Sequence, residues 1–234
     1  MRCPWIGFDL DDTLHQFRQA SGAATNAVLS NISSRYGTSV EALRDEYSRI
    51  LKSKTAAAFS DGRTSADYRT ERFSALLGHF SIPPDQRFMA ELLEMYESNL
   101  GKSLELKPGA LQFLSTLKQM GKKIVIVTEG PQDAQERTVQ ALGIQPYIDF
   151  LASTNHFGVT KVEGLFPRVC EYLNITPGDM VYIGDSVERD IKPATAAGIL
   201  CIHLDEARDT SVSDLPLRAK TLADLRPLFS CDGT

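Results

Sequence analysis

Three carboxylates follow a short apolar run near the start of the chain. Trp5-Ile6-Gly7-Phe8 leads directly into Asp9, Asp11 and Asp12, with Thr13 next. An apolar run this short is typical of a buried β-strand. Burying an unpaired charge is costly, so we expect the acids where the strand ends, at an open sheet edge. Asp9 and Asp11 would point the same way in extended chain and need a cation or a proton between them. A helix cap at Asp12 or Thr13, with solvated acids around it, is the alternative.

Other polar residues lie at predicted strand ends and helix starts, and each has a plain structural explanation when taken alone. Thr128 could simply end a strand, and Lys161 could be a solvated lysine at the start of a helix. Asp185 and Asp190 could be a helix cap and a surface acid. Those explanations leave open why all of them fall at the same kind of position.

The elements that would position these residues come from the apolar pattern of the second half of the chain. Short apolar runs predict strands at Lys123–Thr128, Phe150–Ser153, Met180–Gly184 and Ile199–His203. Helices are predicted at Pro108–Met120, Asp133–Leu142, Val162–Leu173, Glu188–Ala197 and Leu222–Phe229. Alternating strands and helices indicate parallel strands with right-handed crossovers. Because parallel strands present all their carboxyl ends on one side, the polar residues should converge there.

The segment between the first strand and this alternating region indicates helices only. They are predicted at Ala20–Tyr36, from a capping box at Thr38–Glu41 through Leu51, at Ala66–His79 and at Asp85–Leu100. Helices without strands pack as a bundle. We therefore predict an α/β protein with a doubly wound parallel sheet. Residues 1–16 and 105–234 would form the catalytic core, and residues 17–104 an inserted helical cap domain.

Composition excludes several other classes of protein. Of 234 residues, 42% are apolar and 24% charged, the net charge is −5, and no Lys/Arg run exceeds two residues. This argues against a nucleic-acid polymer or an anionic membrane as partner. We find no apolar stretch of membrane-spanning length, and the first strand begins too early to leave room for a signal peptide. The scattered cysteines form no CxxC pair, which favours reduced thiols, a cytoplasmic location and no structural zinc: Cys3, Cys170, Cys201 and Cys231.

The ordered set of motifs resembles the haloacid dehalogenase-like (HAD) superfamily. The matching residues are Asp9-Leu10-Asp11-Asp12-Thr13, then Thr128, Lys161 and Gly184-Asp185 with Asp190. The resemblance covers essentially the whole core. It implies a Rossmann-like catalytic domain, with the helical insertion as the family's cap. It also implies Mg²⁺ as cofactor and phosphoryl transfer through an aspartyl-phosphate.

The resemblance assigns separate roles to the acids. Asp9 would be the nucleophile, a role that a carboxylate can serve toward phosphorus. Asp11 would protonate the leaving alkoxide and then deprotonate the attacking water. The Mg²⁺ ligands would be Asp9, the backbone carbonyl of Asp11, and Asp185. Asp190 would support Lys161 or lie in the outer shell, and Thr13 would support the first motif.

Phosphate binding falls to the second and third motifs by the same resemblance. Thr128 and the amide that follows it, that of Glu129, would hold phosphate oxygens, and Lys161 would neutralise developing charge. Glu129 departs from the family pattern, in which many relatives have Asn. It places an acid near the mouth of the phosphate site.

The second acid of the first motif indicates phosphate chemistry, because the resembling dehalogenases lack it. Thr13 favours hydrolysis over transfer to a sugar. The expected partner is a small phosphate ester such as a nucleotide or sugar phosphate, acted on by a monomer or homodimer. The alternatives are an isoprenoid-type alcohol phosphate, which the apolar run Ala56–Phe59 would suit, a haloacid substrate, or an inactive scaffold.

The cap should choose the substrate, since the core contacts mainly phosphate. The loop Phe59–Ser65 is the candidate specificity loop. Arg63 would bind a second anionic group, and Phe59 would stack on a base or cover an apolar group. Tyr68 and Phe73 are predicted to belong to the cap's interior. Residues near the first motif would line the leaving-group pocket: His15 and Phe17.

Overall fold

The computed structural model describes residues 3–54, 59–83, 85–206 and 217–229. Within these ranges the strands are β1 Trp5–Phe8, β2 Lys123–Thr128, β3 Phe150–Ser153, β4 Met180–Gly184, β5 Leu200–Leu204 and β6 Leu217–Ala219. They form one parallel sheet in the order β3-β2-β1-β4-β5-β6. The strand order reverses on either side of β1, which confirms the predicted α/β class with a doubly wound parallel sheet.

Strand β1 lies at the centre of the sheet. Its last residue, Phe8, pairs in register with Ile126 of β2 and Ile183 of β4. All four β1 residues are buried, as a strand covered on both faces requires. Gly7 has a packing reason, because a Cβ there would lie 2.8 Å from the ring of Tyr182. The acids that follow Phe8 therefore emerge between the carboxyl ends of β2 and β4.

The core helices cover both faces of the sheet. They are α5 Ala110–Gln119, α6 Gln132–Ala141, α7 Thr154–Phe157, α8 Leu165–Leu173, α9 Lys192–Ala196 and α10 Arg226–Phe229. Side chains of β1 alternate between two apolar clusters. Ile6 and Phe8 pack with Phe113 of α5 on one face, and Trp5 joins Phe166 of α8 in the cluster on the other.

The inserted segment folds as a bundle of α1 Phe17–Tyr36, α2 Val40–Lys54, α3 Ser65–His79 and α4 Gln86–Ser103. These helices enclose an apolar cluster of their own, which includes Val28, Phe73 and Phe88. The chain enters and leaves the bundle by two adjacent segments, linked by a hydrogen bond from Gln16 N to Glu105 O at 2.9 Å. We call this bundle the cap. Within the described ranges, no helix has the length and apolar character needed to cross a membrane.

The cap also contacts the core at the start of α3. The backbone N–H and the hydroxyl of Ser65 donate to the two carboxylate oxygens of Asp133 in α6, at 2.9 and 2.7 Å. Arg137, one turn later in α6, donates to the Ser65 hydroxyl at 2.7 Å and pairs with Glu97 of α4 at 3.2 Å. We call these four residues the cap–core junction. It fixes one wall of the space between the two domains.

Several predicted elements differ from the structure in detail. Ser39, rather than Thr38, caps α2 by accepting from the amide of Ala42. The predicted helix Glu188–Ala197 is divided into a π-helix, Val187–Ile191, and α9. The helix predicted from Val162 begins at Leu165, since Gly164 adopts a φ of 116° between them. Sequence patterns missed α7 and β6. The apolar run Ala56–Ala58, together with Pro84 and Cys231, lies outside the described residues.

Candidate active site

The carboxyl ends of three neighbouring strands carry the predicted site residues. Asp9 follows β1, Thr128 ends β2, and Asp185 follows β4. Lys161 opens a short 3₁₀ turn after α7, and Asp190 lies in the π-helix after β4. Parallel pairing alone brings the three strand ends together. The turn and the π-helix then add the lysine and the last acid to the same edge.

Lys161 lies between two acids from different parts of the chain. Its ammonium donates to Asp9 Oδ1 and to Asp190 Oδ1, both at 2.5 Å, and all three side chains are buried. The 3₁₀ turn that carries the lysine is fixed by a capping box between Thr160 and Glu163. A lysine this deeply buried needs paired carboxylates, and the two acids need the lysine.

Asp190 is held in place from three directions. Besides Lys161, the Tyr182 hydroxyl donates to its Oδ1 at 2.9 Å and the Ser186 amide to its Oδ2 at 3.0 Å. Gly184 makes room for it, because a Cβ at that position would lie 2.6 Å from the Asp190 side chain. The glycine of the fourth motif therefore has a steric role.

The electrostatics of Asp9 favour a further positive charge beside it. Burial raises the pKa of Asp9, the Lys161 ammonium lowers it, and the carboxylates of Asp190 and Asp11 raise it, so that the pKa lies well above its ordinary value. Burial alone would lower the pKa of Lys161, but Asp9 and Asp190 outweigh it and raise that pKa. Burial and Asp190 also raise the pKa of Asp185.

The acid oxygens fit a divalent cation. One carboxylate oxygen from each of Asp9, Asp185 and Asp190 lies within 4.8 Å of the others. Hard oxygen donors at such spacing are the ligands that Mg²⁺ prefers. As the sequence motifs predict, Asp9 and Asp185 would hold the ion, while Asp190 supports Lys161. The Thr13 hydroxyl donates to the second oxygen of Asp9 at 3.1 Å.

Asp11 faces the open side of the site. Its Oδ1 lies 2.8 Å from His15 Nε2, and its side chain retains 23% exposure whereas His15 has none. Asp12, with a φ of 62°, turns away and accepts from the Arg18 amide at 3.0 Å near the start of α1. The Arg18 side chain reaches both Asp12 and Asp185, at 3.1 and 3.4 Å. Asp12 therefore acts in capping, while Asp11 is left free to meet a ligand.

The predicted phosphate-binding residues come from the end of β2 and from the 3₁₀ turn that carries Lys161. The Thr128 hydroxyl is buried and donates to Gln135 Oε1 at 3.2 Å. The Glu129 carboxylate accepts from the Lys161 backbone N–H at 3.2 Å and lies 3.7 Å from the Arg189 guanidinium. Glu129 is thus tied to the lysine turn. Sequence reasoning gave no role to Arg189 or Gln135.

A cleft of about 830 Å³ lies between the cap and the core. Asp11, Asp12 and Glu129 line it from the core, and Phe17 and Phe59 line it from the cap, as predicted for substrate-specificity residues. Its volume suits a small ligand rather than a polymer.

Two other specificity candidates lie elsewhere. His15 is buried behind Asp11 and forms no part of the cleft wall, because its ring is packed beneath the first motif. Arg63 also lies outside the wall, since it pairs with Glu71 at 2.8 Å and lies over the ring of Tyr68. Tyr68 is buried, as we predicted for the cap's interior, and also lines the cleft, and Phe73 belongs to the cap's apolar cluster.

The cap wall contains functional candidates that sequence reasoning missed. On each of two helices, four of its members lie at positions i, i+3, i+4 and i+7: Arg44, Tyr47, Ser48 and Leu51 of α2, and Ser65, Tyr68, Arg69 and Arg72 of α3. Residues of α1 and α4 line the same wall, among them Thr25, Asn26 and Tyr96. Positions separated by three, four and seven residues share one face of a helix. Arginines and tyrosines that recur on one helix face were the available signal.

Comparisons with known proteins agree with this geometry. The family model for haloacid dehalogenase-like hydrolases matches residues 4–198. A glyceraldehyde 3-phosphate phosphatase of Methanocaldococcus jannaschii is 26% identical over 225 residues, which cover 95% of this chain and 94% of that protein. The N-acylneuraminate-9-phosphatase of Rattus norvegicus is 26% identical over 198 residues, or 83% of this chain and 79% of that protein.

A solved structure extends the comparison to three dimensions. The magnesium-bound HAD-hydrolase YfnB of Bacillus subtilis superposes with a TM-score of 0.75, at 23% identity, over 97% of this chain and 99% of that one. At this identity the match shows the shared fold. Since the family model spans most of the chain, the protein belongs to the haloacid dehalogenase-like hydrolase family.

Proposed function

We propose that the protein is a Mg²⁺-dependent phosphomonoester hydrolase that acts on a small phosphorylated metabolite through an aspartyl-phosphate. The observation that carries this proposal is the convergence at Asp9. Lys161 binds one of its oxygens and Thr13 the other, and Asp11 stands beside it at the floor of the cleft. A fixed nucleophile next to a separately held acid is the arrangement that two-step hydrolysis needs.

The proposed hydrolysis has two chemical steps. In the first, an Asp9 carboxylate oxygen forms a bond to phosphorus while the ester oxygen leaves, taking a proton from Asp11. In the second, Asp11 accepts a proton from water, whose oxygen bonds to phosphorus and releases Asp9 and phosphate. Lys161 and the backbone N–H groups after Thr128 would stabilise charge on the phosphoryl oxygens. Mg²⁺, held by Asp9 and Asp185, would reduce repulsion between the carboxylate nucleophile and the phosphate dianion.

The cleft supports a polar substrate over the alternatives. Its cap wall carries arginine and tyrosine side chains, which suit an isoprenoid-type alcohol poorly. Asp11 and its histidine partner would have no use in halide release, because a halide leaves without a proton. An inactive scaffold would not need a nucleophile, an acid and a lysine held together.

The free thiols Cys3, Cys170 and Cys201 agree with a cytoplasmic location.

A phosphate-release assay tests the proposal. Purified protein with Mg²⁺ should hydrolyse p-nitrophenyl phosphate and several phosphorylated metabolites, and chelation of the metal should stop it. Asp9→Asn should remove turnover. Asp45→Asn, an exposed site on α2, is the matched control and should leave it intact. Full activity in Asp9→Asn would exclude the covalent mechanism. Halide release from haloacids without phosphate release would reassign the reaction.

A further inference from the structure

The cap wall of the cleft is cationic. Arg44, Arg69 and Arg72 line it together with Arg18 at the start of α1, and no Asp or Glu lines it from the cap among the residues that the structure describes. The acids that line the cleft all come from the core, which also contributes Arg189.

Arg69 already has its partners within the cap. Its guanidinium pairs with Glu97, lies 4.5 Å from the centre of the Tyr96 ring, and is mostly buried. It therefore contributes to the structure of the wall. Arg18 is also engaged, by Asp12 and Asp185. Arg44 and Arg72 are the arginines of the cap wall that form no ion pair within the described residues.

Arg44 and Arg72 form no close ion pair, although the Glu41 carboxylate, one turn before Arg44 on α2, is within its electrostatic reach. Arg44 donates to the side-chain carbonyl of Asn26 at 3.4 Å, and Arg72 lies 5.7 Å from the centre of the Phe59 ring. In the described ranges, neither guanidinium forms an ion pair with a carboxylate. Both are at least partly exposed to the cleft. These are the conditions under which a guanidinium can bind an incoming anion.

The core acids, in contrast, have partners. Asp12 pairs with Arg18, Glu129 accepts from the Lys161 amide, and Glu163 accepts from Thr160 in its capping box. The arginines beside these acids, Arg18 and Arg189, are thus engaged by them. A second anionic group would therefore be attracted to Arg44 and Arg72 on the cap wall.

The two arginines and the reacting end of the cleft are close enough to act on one molecule. Asp11, Arg44 and Arg72 line the same cleft of about 830 Å³, together with Tyr47 and Tyr96. A small molecule bound in this cleft can therefore contact the acid and the arginines at once.

We propose that the substrate carries a second anionic group, a carboxylate or a second phosphate, which binds to Arg44 and Arg72 of the cap while its phosphoryl group lies at Asp9. This inference rests on the proposed function and adds the substrate class to it. Arginine favours these two groups because its planar fork of N–H donors matches their oxygens.

The test compares phosphate esters that differ only at the far end. One pair is phosphoglycolate and hydroxyethyl phosphate, and the other is butanediol bisphosphate and hydroxybutyl phosphate. The anionic member of at least one pair should have a kcat/KM about tenfold or more above its neutral partner. A preference within the first pair would identify the second anionic group as a carboxylate, and a preference within the second pair would identify it as a phosphate. Equal values within both pairs would overturn the inference.

Variants then assign the preference to the arginines. Arg44→Gln and Arg72→Gln should each reduce the ratio within the favoured pair, and the double variant should abolish it. Arg44→Lys and Arg72→Lys should keep part of it. Arg49→Gln, on the same helix but exposed and outside the cleft wall, should leave it unchanged. A double variant with the wild-type ratio would contradict the proposal.

Turnover of p-nitrophenyl phosphate separates this inference from the proposed function. That ester has no second anion, so the arginine variants should lose much less activity on it than on the favoured anionic ester, and circular dichroism should show that they fold. If wild-type protein released no phosphate from any ester, the proposed function would fail and this inference with it. If it hydrolysed p-nitrophenyl phosphate but showed no anion preference, only the inference would fail.

Discussion

The buried imidazole of His15 forms a hydrogen bond with the carboxylate of Asp11. Its Nε2 lies 2.8 Å from Asp11 Oδ1, and its imidazole is fully buried while the Asp11 carboxylate reaches the cleft. The other ring nitrogen, Nδ1, has no hydrogen-bond partner among the described residues, so the contact with Asp11 is the one polar contact of the side chain there. Since one carboxylate oxygen is engaged by the histidine, the other is left for a ligand in the cleft. His15 is therefore a positioning residue for the proposed acid.

Replacing His15 should impair substrates that need a proton at the leaving group. In His15→Phe the ring volume is similar but the hydrogen bond is lost. We expect kcat/KM for alkyl phosphates to fall by about tenfold to a hundredfold, the worth of a hydrogen bond to a charged group. For p-nitrophenyl phosphate, whose leaving group departs without a proton, the fall should be several-fold smaller. The measurement is kcat/KM across esters of graded leaving-group pKa.

A control for this prediction is His156→Phe, an exposed histidine on α7. It should change neither class of ester. An equal loss on all esters in His15→Phe would instead indicate general distortion of the first motif. Circular dichroism and thermal unfolding of both variants would show whether the fold is kept.

Removing the Lys161 ammonium should destabilise the protein and make its stability depend on Mg²⁺. In Lys161→Met, Asp9 and Asp190 remain buried without their cation, which should lower the free energy of unfolding by about 3–5 kcal/mol. Added Mg²⁺ should restore more stability to this variant than to wild type, because it supplies positive charge at the same acids. Urea unfolding with and without Mg²⁺ measures both effects.

Two further variants test the cause. Lys161→Met with Asp190→Asn removes one of the uncompensated carboxylates and should be more stable than Lys161→Met alone. Lys192→Met breaks an exposed pair with Glu188 and should cost less than about 1 kcal/mol. If Lys192→Met and Lys161→Met had similar effects, the buried triad would not be the source of the loss.

The sequence predicted the core far better than the cap wall, for physical reasons. β2, β3 and β4 match their predicted bounds because short apolar runs end abruptly at Thr128, Ser153 and Gly184. Parallel pairing then brings the motif residues together without further information. β6 was missed because Leu217-Arg-Ala219 is too short for a pattern and is formed by pairing with β5.

The cap wall was harder to predict, because each cap helix could have turned any of several faces toward the core. Periodicity located α2 and α3 but did not say which arginines would face the cleft. Arg63, the predicted anion-binding residue, is paired with Glu71, a contact made by side-chain packing around Tyr68. His15 was likewise placed in the pocket from its position after the first motif, whereas its contact with Asp11 depends on the tertiary fold.

Removing the charge of Glu129 should strengthen phosphate binding. Its carboxylate is tied to the Lys161 amide at 3.2 Å, at the side of the site where the phosphoryl group is proposed to bind. A carboxylate repels a phosphate dianion, so Glu129→Gln, which keeps an acceptor for that amide, should lower the inhibition constant for inorganic phosphate by about threefold to tenfold. Glu171→Gln, an exposed site on α8, is the matched control. An unchanged inhibition constant would mean that the Glu129 charge is fully neutralised by its neighbours.

Breaking the cap–core junction should loosen α3 without unfolding the cap. The Ser65 amide donates to Asp133 Oδ1 at 2.9 Å, so in Asp133→Ala this amide and its neighbours should exchange hydrogen faster with solvent, by about tenfold for one lost hydrogen bond to a charged group.

Although partial burial raises the pKa of Asp133, hydrogen bonds from Ser65 and Arg137 lower it more. A depressed pKa means that the contact stabilises the junction at neutral pH and is lost only as pH falls below the ordinary aspartate range, near about 4.

The control is Asp85→Ala, which removes a similar cap from α4 and should leave exchange at Ser65 unchanged. Because Ser65 lies in the cleft wall beside Tyr68 and Arg69, a looser α3 should also raise KM for large substrates more than for p-nitrophenyl phosphate. Unchanged exchange at Ser65 would show that packing, rather than this hydrogen-bonded contact, holds the cap against the core.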